Sequence, residues 1–346
     1  MYLLEAIRNG KRITSGSYAL ALQVWAMSNL DIQDDIIVFP YICDAHVQIG
    51  LFQNPVAEVN LDYVKENKML IVRRDTGGGA IFIDQNSANF CFLIPNLHPF
   101  SSVLNNYPKF YEPIIQILKT MGLKNVEATG KNDLSVDQKK VSGAAMKQTD
   151  KYIYAGYSLL YDIDFEGGMT KALNPNKKKI ESKGIKSVRQ RVAKIKDYLD
   201  SEYQNLNIYE FKDLIIKNFE KNSIFGPIKT LRLTNEQWAQ VDELVKNKYE
   251  NWDWTFGQSP EYEFYRDQRF DIGTLGISLE FTNAKISKAK ITGDFFPIKN
   301  IKFIEEALIG AKLEYEDLLT RLESIKIETF FIKKLTAKEL VDLIMS

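Results

Sequence analysis

The stretch VRRDTGGGAIFIDQ, residues 72–85, brings together two arginines and three consecutive glycines between apolar runs. Arg73 and Arg74 end the run that begins at Met69. Guanidinium groups in such a place suit a carboxylate or a phosphate, which they hold through paired donors. Glycine loses more conformational freedom on folding than any other residue, so a run of three marks backbone that bends sharply or lies close to something else. Binding of an anion is one chemistry that fits, and a plain turn is the other. Two familiar nucleotide loops are excluded. A Walker A loop needs Gly-Lys-Ser/Thr after its first glycine and four residues, and a dinucleotide fingerprint needs a third glycine three places beyond Gly79. After Gly79 the chain continues Ala80-Ile81-Phe82-Ile83, which reads as a strand and not as a helix whose N-terminus holds phosphate.

A second constellation lies in GKNDLSVDQKKVSG, residues 130–143. By itself, a lysine beside another lysine after a turn reads as part of a surface hairpin. On a regular strand, however, Lys140, Ser142 and Ala144 share one face, and small neighbours leave space in which an ammonium can stabilise anionic charge. Cys43 and His46 in YICDAH resemble a nucleophile and its base in composition only, because sequence neighbours rarely adopt the required geometry. Cys91, within NFCFLIP, reads as core, and two isolated cysteines make neither a disulfide framework nor a zinc site. Residues 171–196 carry ten lysines and arginines against the single acid Glu181. That stretch is either a solvated surface or a flap for phosphates or an acidic partner, and its lack of aromatic residues argues against a groove for single-stranded nucleic acid.

The elements that must position these residues alternate along the chain. Helical spacing covers Ser17–Leu30 and YPKFYEPIIQILKTMG, where Ile114, Ile117, Leu118 and Met121 form one stripe before Gly122. Strands are expected at IIVF and VQIG, around the glycine run, and between Asn132 and Tyr161, with turns at Asp137-Gln138 and Thr149-Asp150. Two more helices come later, in YEFKDLIIKNFEKN and after the capping-box pattern Thr234–Gln237. With 346 residues, the chain is long for one core. Gly257 and Pro260 mark a boundary at which Trp252 and Trp254 are expected to pack. The division is therefore 1–248, a linker 249–260, and a small α+β domain 261–346. Basic and acidic residues number 45 each, so global charge favours neither nucleic acid nor membrane. With no run of eighteen apolar residues, the expectation is a cytoplasmic protein.

Five blocks, GLFQNPVAEVN, VRRDTGGGA, GKNDLSVDQKKVSG, NPNKKKIESKGIKSVRQRV and WDWTFGQSPE, stand in the order found in lipoate-protein ligases, which the chain resembles over nearly its whole length. The resemblance implies an α+β fold like that of biotin ligases, a mixed sheet with helices, plus the accessory C-terminal domain. It also implies an ATP-dependent ligase that activates lipoate as lipoyl-AMP with Mg2+, then acylates a lysine of a lipoyl carrier domain or of the glycine-cleavage H protein. Lys140 is then the catalytic residue, touching nucleotide and acid. Arg74, Gly79, Ala80, Ile81 and Phe82 take ATP, and Arg74 and Gly78 take lipoate with Lys140. Arg73, Gly77, Asn132, Ser142, Gly143, Lys183 and Gly184 support them, and Asp133 is the candidate magnesium ligand. A transferase of the same fold working without ATP, and a non-catalytic binder of lipoylated carriers, are the alternatives. Departures from the family pattern cluster near the expected pocket: Gln23 for Glu, Leu51-Phe52 for an arginine-containing pair, Ile83 for His, and Gly156-Tyr157-Ser158 for His-Gly-Thr. They imply a more apolar acyl pocket that also admits octanoate.

Overall fold

The computed structural model describes residues 1–173, 191–221, 225–257, 264–282 and 285–345. They divide into two compact units. The first comprises Met1–Gln48, Val59–Val72 and Ile81–Thr255, and the second comprises Ile49–Glu58, Arg73–Ala80 and Phe256–Ser346.

Sixteen strands are found among the described residues. In chain order they are β1 (Tyr2–Leu4), β2 (Ile7–Arg8), β3 (Lys11–Arg12), β4 (Ile37–Tyr41), β5 (His46–Ile49), β6 (Leu70–Arg73), β7 (Ile81–Ile83) and β8 (Ala88–Pro95). The remainder are β9 (Val126–Thr129), β10 (Asp133–Val136), β11 (Lys139–Gln148), β12 (Tyr152–Leu159), β13 (Lys229–Leu231), β14 (Phe264–Phe270), β15 (Gly273–Thr282) and β16 (Lys285–Gly293). The first unit is built on an eight-stranded mixed sheet in the order β13-β1-β4-β8-β12-β11-β10-β9. Here β1 runs parallel to β13 and β4, and the remaining pairs are antiparallel.

Successive side chains of a strand point to opposite faces, and β8 shows why its sequence is apolar throughout. Phe90 and Phe92 enter one core with Phe110, Ile114 and Ile117 of the Tyr107–Thr120 helix and Phe211 and Phe219 of the Ile208–Lys221 helix. Cys91 and Leu93 enter another, with Leu20 and Trp25 of the Gly16–Asn29 helix and Trp238 and Val241 of the Asn235–Leu244 helix. The helices start and stop where side chains satisfy free backbone groups. Asn106 accepts from the Lys109 amide, and Gly122 comes after the same helix with φ +104°. Thr234 and Gln237 form the reciprocal capping box. Asp137 and Gln138 both have positive φ, which makes the β10–β11 connection a tight two-residue hairpin turn.

The second unit carries the antiparallel sheet β14-β15-β16, whose buried residues Leu275, Ile277 and Ile291 pack with Ile304, Leu318 and Leu340. These come from the helices Lys302–Leu308, Tyr315–Ser324 and Ala337–Met345, the α+β arrangement expected. One boundary expectation needs correction. Trp254 packs against the Trp25 and Trp238 cluster under the Lys248 ammonium, but Trp252 is 67% exposed. Two residues apart on the short Trp252–Thr255 helix, their side chains leave the axis about 200° apart, so both cannot face one core. Among the described residues no helix is long and apolar enough to cross a membrane.

Phe92 is 1% exposed and edge-on to Phe110 at 5.5 Å. Phe92→Ala is expected to destabilise the first unit by about 3–5 kcal/mol, as read by urea unfolding followed by circular dichroism. A change below about 1 kcal/mol would show that this core does not hold the sheet.

Candidate active site

The position of Lys140 depends on an irregularity in the sheet. Leu134 pairs with Ser142, but Ser135 pairs with Lys140, so Val141 is an extra residue in β11. Such a bulge changes which residues share a face. Without it Asp133 would lie opposite Ser142; with it Asp133 lies opposite Gly143. The expectation that Lys140, Ser142 and Ala144 share a face is thereby corrected. Val141, Ser142 and Ala144 are buried, and the Ser142 hydroxyl lies 3.3 Å from that of Tyr111, itself buried among aromatic rings. Lys140 instead stands beside Asp133, with Nζ 2.7 Å from Oδ1, and both side chains are a little over a third exposed. A Cβ on Gly143 would come within 2.8 Å of that Nζ. Asn132 anchors the neighbouring backbone: its Nδ2 donates to the Ala144 carbonyl at 2.5 Å, and its own carbonyl accepts from the Ala144 amide.

Beyond Lys140, the same face continues through Gly143 and Ala145 of β11 and their partners Ser158 and Gly156 of β12. These four residues are small and partly exposed, whereas Ala144, Tyr157 and Leu159 between them are buried. The result is a strip of small, partly exposed residues leading away from the lysine. It leads towards Tyr154, whose hydroxyl donates to buried Gln23 Oε1 at 2.7 Å. Ile83 is buried with Ala19 and Cys43. Sequence reasoning missed both the Asp133–Lys140 pair and the strip of small residues. The small residues were the available signal, but the bulge that aligns them has no signature of its own.

The arginine and glycine loop belongs to the second unit, where its polar groups serve the loop itself. Arg73, 1% exposed, donates through Nη1 to the carbonyls of Gly50, Leu51 and Gln53 at 2.7–3.2 Å, and burial lowers its pKa to about 10. It keeps its charge at neutral pH. Arg74, 7% exposed, donates through Nη2 to the carbonyls of Gly77 and Gly79 at 2.8 and 2.9 Å and through Nε to Thr76. The missing side chains have their own explanation. A Cβ on Gly77 would strike the Phe295 carbonyl, one on Gly50 would strike that of Gly78, and the Gly78 amide donates to Phe295 O at 3.3 Å. Gly79 is the open one, with nothing nearer than Asp294 Cβ at 3.9 Å. Phe52 stacks on Phe295 at 5.3 Å, so that departure from the family pattern serves the core of the second unit.

Cys43 and His46 do not form a nucleophile and base. Burial pushes the Cys43 thiol to about 12, while His46 Nδ1 bonds to the Asp44 carbonyl and burial lowers its pKa. Cys91 is buried in the core as expected, with its thiol also raised by burial. Lys183, Gly184 and the rest of 174–190 lie outside the described residues. No group of three or more His, Cys, Asp and Glu side chains among the described residues could hold a metal ion.

Residues 15–220 match the model of the lipoyl protein ligase A/B catalytic domain, and residues 259–344 match that of the bacterial lipoate protein ligase C-terminus. The chain belongs to the lipoate-protein ligase family. It is 47% identical over 346 residues, the whole of both chains, to the lipoate-protein ligase of Streptococcus pyogenes serotype M5 (strain Manfredo). Over the same span it is 43% identical to lipoate-protein ligase 2 of Staphylococcus aureus (strain Mu50 / ATCC 700699). In fold it is similar to Plasmodium falciparum LipL1, solved in complex with lipoate, at TM-score 0.76 and 21% identity over 99% of both chains. A bipartite lipoate protein ligase of Thermoplasma acidophilum, described with its E2 lipoyl domain, gives TM-score 0.62 and 25% identity over 76% of this chain and 98% of its own. A lipoate-protein ligase A bound with ATP gives TM-score 0.58 and 24% identity, over 74% and 98%. The protein is therefore a ligase enzyme that acts in lipoylation, with the α+β fold of its family.

In this ligase, Gly143→Ala sets a methyl carbon against the Lys140 ammonium while leaving the backbone φ unstrained. On the expectation that Lys140 is the catalytic residue, turnover should fall about tenfold or more, given the cost of misplacing a group at the reacting centre, with melting temperature nearly unchanged. Full activity of the folded variant would show that Lys140 does not need this place.

Proposed function

We propose that the ligase joins lipoate to ATP and then to a carrier lysine, with Lys140 as the catalytic residue. In the first step a lipoate carboxylate oxygen attacks the α-phosphorus, the bond to the β-phosphate oxygen breaks, and pyrophosphate leaves. In the second the carrier amine attacks the acyl carbonyl, loses its proton, and AMP leaves. The first step must bring two anions together, and a fixed cation stabilises the charge that develops. The observation that carries this reading is the Lys140 ammonium, held 2.7 Å from Asp133 at the end of the strip of small residues Gly143, Ala145, Gly156 and Ser158. The acid's carboxylate then lies at the lysine and its hydrocarbon chain along the small residues.

Family resemblance supports the assignment of ATP to Arg74 and Gly79–Phe82 as well as Lys140, and of the acid to Arg74 and Gly78 as well as Lys140. Arg74 acts there through the loop it braces, since its Nη2 holds the Gly77 and Gly79 carbonyls. Asp133, one partly exposed carboxylate, fits a magnesium ion that takes its other ligands from phosphate and water. Such an ion would neutralise phosphate charge. A solved relative bound with ATP supports the nucleotide assignment, and one described with its E2 lipoyl domain supports a lipoyl carrier domain as acceptor. A transferase that carries the acyl group on cysteine is disfavoured, because Cys43 and Cys91 are buried with raised thiol pKa values.

Lys140→Ala should slow adenylate formation about a hundredfold or more, and transfer from supplied lipoyl-AMP less, because there the two anions are already joined. Pyrophosphate release and transfer are assayed separately, and mass spectrometry of a lipoyl domain reads the product. Adenylate formation at the parent rate by a folded variant would overturn the assignment. For the acid, binding should weaken by about 0.8 kcal/mol for each methylene removed from octanoate. Butyrate competing as well as octanoate would remove the strip of small residues from the acyl site.

A further inference from the structure

The β11–β12 ladder ends at Ser142–Leu159, and beyond it the backbone of Lys140 is paired by a segment distant in sequence. Val192 forms a parallel bridge with Lys140, and the Ala193 amide donates to the Lys140 carbonyl at 2.9 Å. The same segment continues past the end of β12, where the Ile195 amide donates to Leu160 O at 2.8 Å and the Lys196 amide to Tyr161 O at 3.1 Å. Its side chains alternate as in a strand. Ala193 and Ile195 are buried in the aromatic core, while Lys194 and Lys196 meet one carboxylate, that of Asp162. Lys194 Nζ donates to Oδ1 at 2.8 Å and Lys196 Nζ to Oδ2 at 3.0 Å, so both oxygens are engaged. Asp162 is itself held by its amide, which donates to the Asn86 carbonyl at 2.9 Å.

We propose that Asp162 is a positioning residue for Lys140: by clamping Lys194 and Lys196 it holds segment 192–196 against the bulge, and so fixes the backbone from which the lysine side chain rises. This rests on the reading of Lys140 as the catalytic lysine. Partial burial works against the charged Asp162 carboxyl, but the hydrogen bonds and charges of Lys194 and Lys196 hold it below the usual carboxylate range, and Asp162 raises Lys194 in turn. All three side chains are about one-third exposed, so solvent and salt weaken the clamp without unfolding the protein.

The test uses the full chain carrying Asp162→Asn, with Lys194→Met/Lys196→Met as a second way to open the clamp. Amide hydrogen exchange over 191–196 should quicken about tenfold or more, opening being local. Adenylate formation should lose about tenfold to a hundredfold in kcat, the cost of slight misplacement of a reacting group, with KM for the acid nearly unchanged. A merely structural role is separated by a double-mutant cycle: in a Lys140→Ala background, Asp162→Asn should cost almost nothing more. Unchanged exchange overturns the proposal. So does a loss that adds in full to that of Lys140→Ala, or full turnover when exchange is fast and Lys140→Ala is impaired. Lys140→Ala that keeps parental turnover would instead refute the catalytic reading, and with it the coupling, while exchange alone would still report whether Asp162 holds the segment.

Discussion

One extra residue in one strand governs the candidate site. In a regular ladder the face of a side chain is set by counting in twos, and a single insertion exchanges the faces of everything beyond it. Val141 is that insertion. It sends Ser142 and Ala144 into the aromatic core, sets Gly143 and Ala145 on the other side, and puts Lys140 with them beside Asp133. A strand that outruns its neighbour still needs partners, because a buried carbonyl without one is costly. Here β12 stops pairing with β11 at Ser142–Leu159, and the Lys140 carbonyl accepts from the amide of Ala193, near the end of the basic stretch.

The glycine run shows the same principle in the second unit. Its sequence suggests a cradle for an anion, and part of its physical cause is internal. A side chain on Gly77 would strike the Phe295 carbonyl, and one on Gly78, at φ +97°, would strike the Phe296 ring. The two arginines satisfy carbonyls that a sharply bent loop cannot pair within itself. A buried guanidinium is tolerable when several carbonyls surround it, since charge-assisted hydrogen bonds offset much of the lost hydration. Only Gly79 remains open.

Departures from the family pattern divide by location. Phe52 is a core residue stacked on Phe295, and Ile83 is buried beside Ala19 and Cys43. Gln23 keeps a polar atom inside and accepts from Tyr154, while Gly156 lies where a side chain would meet the Phe90 carbonyl of β8. None of them adds a charge beside the strip of small residues, in keeping with the proposal of an acid bound through its hydrocarbon chain.

Local chemistry settled much of this protein from sequence alone. The stripe Ile114, Ile117, Leu118, the box Thr234–Gln237, the turn Asp137-Gln138 and the apolar run of β8 each specify an element through nearest neighbours, and each stands as read. Five ordered blocks likewise sufficed for the family. Long-range pairing was not legible. That β1 lies between β4 and β13, that residues 49–58 and 73–80 join the second unit, and that Asp162 meets Lys194 and Lys196 depend on contacts between distant segments. The orientation of Lys140 belongs with these. Its identity and its strand were present in the sequence, but its face was decided by where the partner strand stopped matching it one for one, a property of the pair and not of either strand.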